Sequence, residues 1–255
     1  NIDAGVRHLK DLLNAYQGVE WATNQAERLD SLLRRLRFAA QDEPLGYGHA
    51  VHCARDFVAG EPFLLLLGDH LYLSHIPGQR CAEQIIQLAQ DQDCAVSAVQ
   101  ATREHLIGRY GTLNGKRAGD LPGVYAVEKI IEKPSVSLAE LELQTPGLRL
   151  GHYLCFFGMH VLPARIFDLL ETSFKMPRDD GSEYQLTPVL DELAHREKYL
   201  ACELKGSRYD IGGRFHILQA QVALALSGPD REEILTSVAT LLTEAHLFPG
   251  AAGRA

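Results

Sequence analysis

The sequence lacks the features that would assign the protein to a membrane or to a secretory route. Its 255 residues contain no run of about 18 apolar residues, which is the length that a membrane-spanning helix needs. The chain does not open with a basic segment followed by an apolar stretch, so a signal peptide is not indicated. We therefore expect a cytoplasmic protein without a membrane partner.

Basic residues and paired cysteines are also scarce. The chain has 25 Lys and Arg against 33 Asp and Glu, a net charge of −8, which argues against a nucleic-acid partner. Its five cysteines are scattered without a CxxC pair, so neither a disulfide framework nor a zinc knuckle is indicated. A G-x-S-x-G motif is absent too, which argues against a serine hydrolase of that class.

The apolar segments that are present predict an α/β protein with a mixed sheet. "PFLLLLGD" and "CAVSAVQAT" are short apolar runs, typical of strands buried on both faces, and a predicted helix over about 79–92 separates them. This is the βαβ pattern, whose connection is right-handed. Two helices are predicted before it, the second over about 25–37 with Asn24 as its cap. The end of the chain is predicted to be mostly helical to about His246.

Asp69 is the first polar residue with a possible chemical role. It directly follows the run "FLLLL" and its glycine, and ligands of open α/β sheets bind beyond the carboxyl ends of strands. A carboxylate there suits Mg²⁺, which takes one or two carboxylates together with substrate phosphates. A turn residue that stabilises the next segment explains Asp69 equally well. Asp69 alone therefore leaves both interpretations open.

Three later motifs raise the same choice between chemistry and local structure. In "IIEKP", Glu132 can accept hydrogen bonds from sugar hydroxyls and Lys133 can attract phosphate, while the following proline favours an extended Lys133. A solvated charge pair is the alternative. Asp210 in "SRYDIGG" is either a second metal carboxylate or part of an Asx-turn. In "QDEPLGYGHA", Gly46 either admits a base or a ribose to the backbone or simply forms a turn.

The order of these motifs is more specific than any one of them. "QDEPLGYGHAV", "PFLLLLGDHLY", "RYGTL", "IIEKP", "GSEYQLTPVLDEL" and "SRYDIGG" follow one another between about positions 38 and 226. This combination resembles the bacterial UTP–glucose-1-phosphate uridylyltransferases, a family of sugar-nucleotide pyrophosphorylases. The resemblance implies a Rossmann-like nucleotidyltransferase fold with a mixed, mainly parallel sheet and a helical C-terminus. It divides the chain into an N-terminally incomplete nucleotidyltransferase domain, 1–226, and a helical extension, 227–255, that is not an independent domain.

The resemblance also implies a reaction, in which UTP and glucose 1-phosphate give UDP-glucose and pyrophosphate. The sugar phosphate attacks in line, Mg²⁺ is the cofactor, and the protein acts mainly by alignment and electrostatics. Position by position, Gln41 and the backbone of Gly46 match the pair that reads the uracil. The family likeness further implies a homo-oligomer.

The remaining matched positions concern the sugar and the metal. Gly111 in "RYGTL" matches a glycine whose backbone faces the sugar, and Glu132 matches the residue that binds glucose hydroxyls. Lys133 matches the residue that holds the sugar phosphate. Asp69 and Asp210 match the two metal-binding carboxylates, so the resemblance makes Asp69 and Lys133 the catalytic residues.

The chain departs from the family at two places. It has no counterpart of the G-x-G-T-R loop that cradles the triphosphate, and its first 37 residues predict two helices instead. Because Asn1 is not a translation start, we expect that the loop lies upstream of this chain, with a disordered or a lost loop as the alternatives. His70 stands where family members often have a second acidic residue or another polar one, and it can bind metal, bind the sugar phosphate or face solvent.

These departures keep two other functions open. One is a non-catalytic homologue that binds sugar nucleotides or acts as a regulatory subunit. The other is a pyrophosphorylase for a different nucleotide or hexose phosphate.

Overall fold

Strands and helices alternate through the central part of the chain. The computed structural model describes residues 2–16, 18–176, 182–213 and 215–244. The strands are β1 (Phe63–Leu66), β2 (His70–Ser74), β3 (Ala95–Arg103), β4 (Gly111–Arg117), β5 (Val124–Glu132), β6 (His152–Leu162), β7 (Tyr199–Glu203) and β8 (Gly206–Asp210). The helices are α1 (Ile2–Asn14), α2 (Glu20–Arg35), α3 (Tyr47–His52), α4 (Arg55–Val58), α5 (Cys81–Gln92), α6 (Val136–Glu142), α7 (Ile166–Phe174), α8 (Thr187–Arg196), α9 (His216–Ser227) and α10 (Arg231–Glu244).

Six of the strands form one mixed sheet in the order β1-β6-β3-β7-β5-β4, which confirms the predicted fold class. The registers place β1, β3, β4 and β7 in one direction and β5 and β6 in the other. In the part of the chain that the structure describes, β3 and β7 are nevertheless the single parallel pair of neighbours. The reason is that β6 returns between β1 and β3, so the strands of the predicted βαβ unit share a direction without touching.

Helices cover both faces of this sheet and create two apolar layers. One layer contains Phe167 of α7 and Leu190 of α8, and the other contains Ile85 of α5 and Phe157 of β6. The first strand is less buried than its sequence predicts, because β1 lies at the edge of the sheet and Leu66 is 45% exposed. The apolar run "FLLLL" therefore reflects contact with both layers rather than full burial.

The helices before and after the sheet partly match the prediction. The second N-terminal helix begins at Glu20 rather than near residue 25, and Val19, not Asn24, precedes its first turn. The helical C-terminus is confirmed by α9 and α10, while His246 and the rest of 245–255 lie outside the described residues. None of the helices described here combines the length and apolarity that crossing a bilayer requires.

A second, two-stranded sheet positions the residues that follow the apolar run. Strand β2 pairs with β8 in antiparallel register, and His70 lies directly opposite Asp210. The backbone N–H of Ile211 donates to the carbonyl of Asp69 at 2.8 Å and closes this end of the pair. The ladder brings together two segments that are about 140 positions apart in the sequence.

Candidate functional site

A cavity of about 250 Å³ opens where the six-stranded sheet, α8 and the small sheet meet. Its lining contains four of the predicted residues, namely Gly111, Glu132, Lys133 and Asp210. It also contains His70, which the sequence left with several possible roles. The other lining residues were not assigned a role from the sequence: Tyr47, Leu67, Arg109, Tyr110, Phe156, Gly158, His160, Leu186, Thr187, Leu190 and Arg208. The cavity thus combines carboxylates, cations and an apolar wall, a composition typical of a site for a small polar ligand.

Asp69, His70 and Asp210 form a cluster at one side of this cavity. Their ligand atoms, one from each residue, all lie within 4.8 Å of one another. The carboxylate of Asp69 is well exposed, and its Oδ1 lies 3.9 Å from Nε2 of His70. Two carboxylates and an imidazole at this separation fit a divalent cation. The resemblance implied the two aspartates and left metal binding as one of three possible roles of His70, and the register of β2 and β8 places the histidine opposite Asp210.

Asp210 also has a role in local structure. The N–H of Gly212 donates to Oδ1 of Asp210 at 2.9 Å, which is the Asx-turn that the sequence offered as the alternative. A turn of this kind fixes the carboxylate next to Asp69 and leaves the second oxygen of Asp210 for another partner. The two interpretations of Asp210 are therefore compatible.

The electrostatic environment of the cluster reflects its partial burial. Burial and the nearby guanidinium of Arg208 lower the pKa of His70, although Asp69 and Asp210 oppose this effect. His70 is consequently neutral near pH 7, the form of imidazole that binds metals. Burial, with a smaller contribution from the charge of Asp69, raises the pKa of Tyr47 to about 12. Tyr47 therefore faces the cavity as a protonated phenol.

Glu132 and Gly111 face each other in the lining of the cavity. They are direct partners in the β4–β5 register, and Thr187 at the start of α8 donates to Oε2 of Glu132 at 2.5 Å. This hydrogen bond orients the carboxylate, since Thr187 is itself buried. An oriented carboxylate beside an open glycine backbone can accept hydrogen bonds from a hydroxylated ligand.

Lys133 differs from the expectation of an extended conformation. Its φ is +44°, in the left-handed region, and its N–H donates to the carbonyl of Tyr110 at 3.2 Å. The chain must turn here because β5 ends at Glu132 and a proline follows. The turn brings the ammonium group of Lys133 to 3.6 Å from Oε1 of Glu132, in an exposed position on the rim of the cavity. Strained non-glycine residues of this type are common at functional sites.

Gln41 and Gly46 lie together, although they do not line this cavity. Nε2 of Gln41 donates to the carbonyl of Gly46 at 3.0 Å and lies 3.1 Å from Nδ1 of His49. Gly46 has a φ of +113°, and a Cβ there would lie 2.7 Å from the carbonyl oxygen of Tyr184. A glycine is thus required at position 46 because the chain packs closely against the segment "EYQLTP". Gly181, which begins the motif "GSEYQLTPVLDEL", lies outside the described residues. The adjacent Tyr47 connects this pair to the cavity.

Arg208 is the most prominent residue that sequence reasoning missed. Its guanidinium lies 4.3 Å from the ring centre of Tyr110 and donates from Nη1 to the carbonyl of Phe156 at 2.6 Å. These contacts hold the positively charged guanidinium of Arg208 in the cavity, between the small sheet and β6. Its position two residues before Asp210, on the same face of a strand, is the signal that could have identified it.

His160 is the second residue that was missed. It is buried in β6, and its Nδ1 lies 2.5 Å from Oγ of Ser97. Burial lowers the pKa of His160 to about 4, so the ring is neutral. The signal in the sequence is the alternation of Phe156, Gly158 and His160, which places all three on the cavity face of one strand.

The part of the chain that contains the cavity residues also matches a known protein family. A sequence model of the nucleotidyl transferase family matches residues 11–226. UTP–glucose-1-phosphate uridylyltransferase YngB of Bacillus subtilis is 34% identical over 204 residues, which are 80% of this chain and 62% of that protein. UTP–glucose-1-phosphate uridylyltransferase of Streptococcus pneumoniae is 31% identical over 217 residues, which are 82% of this chain and 67% of that protein.

Solved structures show the same fold. A UTP-bound UGPase from Acinetobacter baumannii superposes with a TM-score of 0.65 and 25% identity, over 92% of this chain and 75% of that chain. A UDP-glucose pyrophosphorylase complexed with UDP-glucose gives a TM-score of 0.68 over 87% of this chain and 78% of that chain, and its 24% identity supports the fold alone. The chain spans less than two thirds of the length of the Bacillus subtilis relative.

Proposed function

The chain belongs to the nucleotidyl transferase family, and from this premise we propose that it is part of an enzyme that makes UDP-glucose and pyrophosphate from UTP and glucose 1-phosphate. Two relatives that are 34% and 31% identical carry the name of that activity. The observation that carries the proposal is a single cavity lined by Glu132, the cations Lys133 and Arg208, and His70 and Asp210 of the cluster. A sugar phosphate needs a group that accepts hydrogen bonds from its hydroxyls and, next to it, cations that attract its phosphate.

We assign the sugar to the side of the cavity formed by β4 and β5. Glu132, oriented by Thr187, accepts hydrogen bonds from glucose hydroxyls, and the backbone of Gly111 packs against the sugar ring. A side chain at Gly111 would occupy that space. The uracil is assigned to Gln41 and the backbone of Gly46, which adjoin the cavity through Tyr47.

The phosphate of the sugar is assigned to Lys133. Its ammonium group projects from a turn beside Glu132, so one ligand can touch both residues. The ammonium group of Lys133 attracts the phosphate oxygens while the attacking oxygen is aligned. Arg208 supplies a second cation to the same cavity and is held rigidly by its contact with Phe156.

Asp69 and Asp210 are the proposed holders of a divalent cation, Mg²⁺, with His70 beside them. When bound, Mg²⁺ neutralises charge on the phosphates and supports their alignment. Asp69 and Lys133 are therefore the proposed catalytic residues. Asp69 acts through its exposed carboxylate, and Asp210 is fixed by its own turn.

The organisation of the whole protein is proposed on the same basis. Residues 1–226 form the nucleotidyltransferase domain and 227–255 a helical extension of it. The protein works in the cytoplasm as a homo-oligomer. Exposed apolar side chains on α10, such as Leu241 and Leu242, are available for packing against a partner subunit.

The test is the forward reaction, measured with the complete gene product that includes this sequence. UTP, glucose 1-phosphate and Mg²⁺ should yield equal amounts of UDP-glucose and pyrophosphate, detected by chromatography and a coupled phosphate assay. A panel of other nucleoside triphosphates and sugar 1-phosphates tests the substrate assignment. Binding of UDP-glucose without turnover would instead support the non-catalytic homologue, and absence of both would refute the proposal.

A further inference from the structure

Three buried polar side chains form a row beneath the cavity. Ser97, His160 and Tyr199 belong to β3, β6 and β7, which are neighbours in the sheet with β3 in the middle. Oγ of Ser97 lies 2.5 Å from Nδ1 of His160 and 2.5 Å from the hydroxyl of Tyr199. All three are at most 4% exposed. A buried polar row of this kind is stable only if each proton has an acceptor.

The direction of these hydrogen bonds follows from counting protons. Each hydroxyl has one proton, and neutral imidazole has one N–H. Among the described residues, Ser97 is the only hydrogen-bond partner of the Tyr199 hydroxyl. The phenol proton is therefore satisfied only if Tyr199 donates to Ser97, after which Ser97 donates to Nδ1 of His160. The reverse direction would leave the phenol proton buried without an acceptor, which is costly.

This direction determines the tautomer of His160. Nδ1 accepts from Ser97, so the single ring proton lies on Nε2. The low pKa that burial causes keeps the ring in this neutral state at physiological pH. His160 lines the cavity. Its hydrogen bond with Ser97 uses Nδ1, so Nε2 is the ring nitrogen that can bond to a ligand.

The position of His160 relates it to the sugar side of the cavity. Its ring packs edge-on against Phe156 with centres 4.9 Å apart. Phe156 in turn is the side chain that a Cβ at Gly111 would meet at 2.6 Å. Leu186, directly before α8, and Leu190 within it line the same cavity, so a hydrogen bond from His160 would form next to an apolar wall where water competes poorly.

We propose that His160 donates a hydrogen bond from Nε2 to a hydroxyl oxygen of the sugar bound in this cavity, and that Ser97 and Tyr199 are positioning residues that hold its tautomer. The proposal rests on the proposed function, because it takes the ligand to be a sugar nucleotide. It adds a second polar contact for the sugar besides Glu132. His160 thereby contributes to the choice of sugar, while Gln41 and Gly46 concern the base.

The test compares binding of UDP-glucose with binding of UDP, which lacks the sugar, by calorimetry on the full chain. His160→Phe keeps a ring but removes the donor, and His160→Asn retains a group near Nδ1 without reaching the position of Nε2. We expect both to weaken UDP-glucose binding about tenfold, as for a lost hydrogen bond that leaves a buried polar group unpaired, and to leave UDP binding unchanged. His160→Gln, whose amide N–H reaches the Nε2 position, should retain most of the affinity.

The outcomes separate this inference from the function on which it rests. Folded variants with unchanged affinity for both UDP-glucose and UDP overturn the role of His160 and leave the proposed function intact. Equal weakening of both ligands also overturns it, since that result indicates a general structural role. If the wild-type chain and the complete gene product bind no UDP-glucose, the proposed function fails and this inference fails with it.

A second measurement reads the tautomer of His160 in the wild-type protein directly. Nitrogen-15 NMR of histidine-labelled protein, assigned by comparison with His160→Phe, reports which ring nitrogen carries the proton. We expect a protonated Nε2 and an unprotonated Nδ1, with the Nε2 signal moving on addition of UDP-glucose but not of UDP. Ser97→Ala should allow both tautomers. A protonated Nδ1 in the wild-type protein would overturn the proposal.

Discussion

Gly111 and Glu132 are directly opposite each other where β4 and β5 meet the cavity. A Cβ added to Gly111 would lie 3.1 Å from Oε2 of Glu132 and 2.6 Å from the ring of Phe156. Oε2 is also the oxygen that accepts the hydrogen bond from Thr187. The absence of a side chain at Gly111 therefore keeps the Glu132 carboxylate in its position.

Gly111→Ala should displace either Phe156 or Glu132 and weaken binding of the sugar. Overpacking of this kind costs about 1–3 kcal/mol in the free energy of unfolding. We expect binding of UDP-glucose to fall at least tenfold while binding of UDP stays unchanged, measured by calorimetry. Gly108→Ala is the matched control, because the nearest atom to its added Cβ is 3.9 Å away. Equal effects of the two substitutions would contradict the role of Gly111.

The fold was predictable from the sequence where apolar periodicity decided the structure. The apolar runs of β1 and β3 and the spacing of α5 result from burial, which a single sequence records. The order of strands was not predictable, because β6 inserts between β1 and β3 through contacts that are distant in sequence. The start of α2 was missed since Glu20 and Ala22 offer no capping signal there.

The candidate site was predictable only in part, for a similar reason. Asp69 lies in a turn, and Glu132 and Asp210 are the last residues of their strands, where motifs are visible. Arg208 and His160 lie inside strands and resemble ordinary core or surface residues until the sheet brings them to the cavity. The left-handed conformation of Lys133 also depends on its tertiary hydrogen bond to Tyr110 rather than on its neighbours in sequence.

Asp69→Ala should remove binding of the divalent cation and leave the fold intact. The side chain is 60% exposed, so its loss creates no core cavity, while the cluster with His70 and Asp210 loses a carboxylate. We expect at least a tenfold loss of Mn²⁺ affinity, with Mn²⁺ as a paramagnetic probe followed by electron paramagnetic resonance, and no Mg²⁺-dependent synthesis by the complete gene product. Asp120→Ala, in the exposed turn before β5, is the control. Wild-type metal affinity in Asp69→Ala would refute the assignment.

Lys133→Gly and Lys133→Ala should separate backbone strain from the charge. Both remove the ammonium group, so both should lower affinity for glucose 1-phosphate, measured by calorimetry. Glycine adopts a φ of +44° readily, whereas alanine retains the strain, which costs about 1–2 kcal/mol in a left-handed residue. We expect Lys133→Gly to be more stable than Lys133→Ala by about 1 kcal/mol in urea unfolding. Equal stabilities would show that the turn is not strained.

The buried ring of His160 should make stability depend on pH in a defined window. Burial lowers its pKa to about 4 in the folded chain, against 6.5 for an unperturbed histidine. Between these values the unfolded chain binds more protons, so the free energy of unfolding rises with pH up to about 6.5 and is constant above it as far as His160 is concerned. The difference corresponds to roughly 3 kcal/mol, lost as the pH falls from 6.5 to 4.

His160→Phe isolates this contribution, because carboxylates that titrate in the same range affect both proteins alike. Urea unfolding of the wild type and the variant at intervals from pH 4 to pH 8 gives the difference in stability at each pH. We expect this difference to change by up to about 1.4 kcal/mol per pH unit below pH 6.5 and to stay level above it. The wild type should lose stability faster on acidification, since protonating a buried imidazole forces a charge into the core. Parallel pH profiles would mean that His160 is solvated enough to titrate normally.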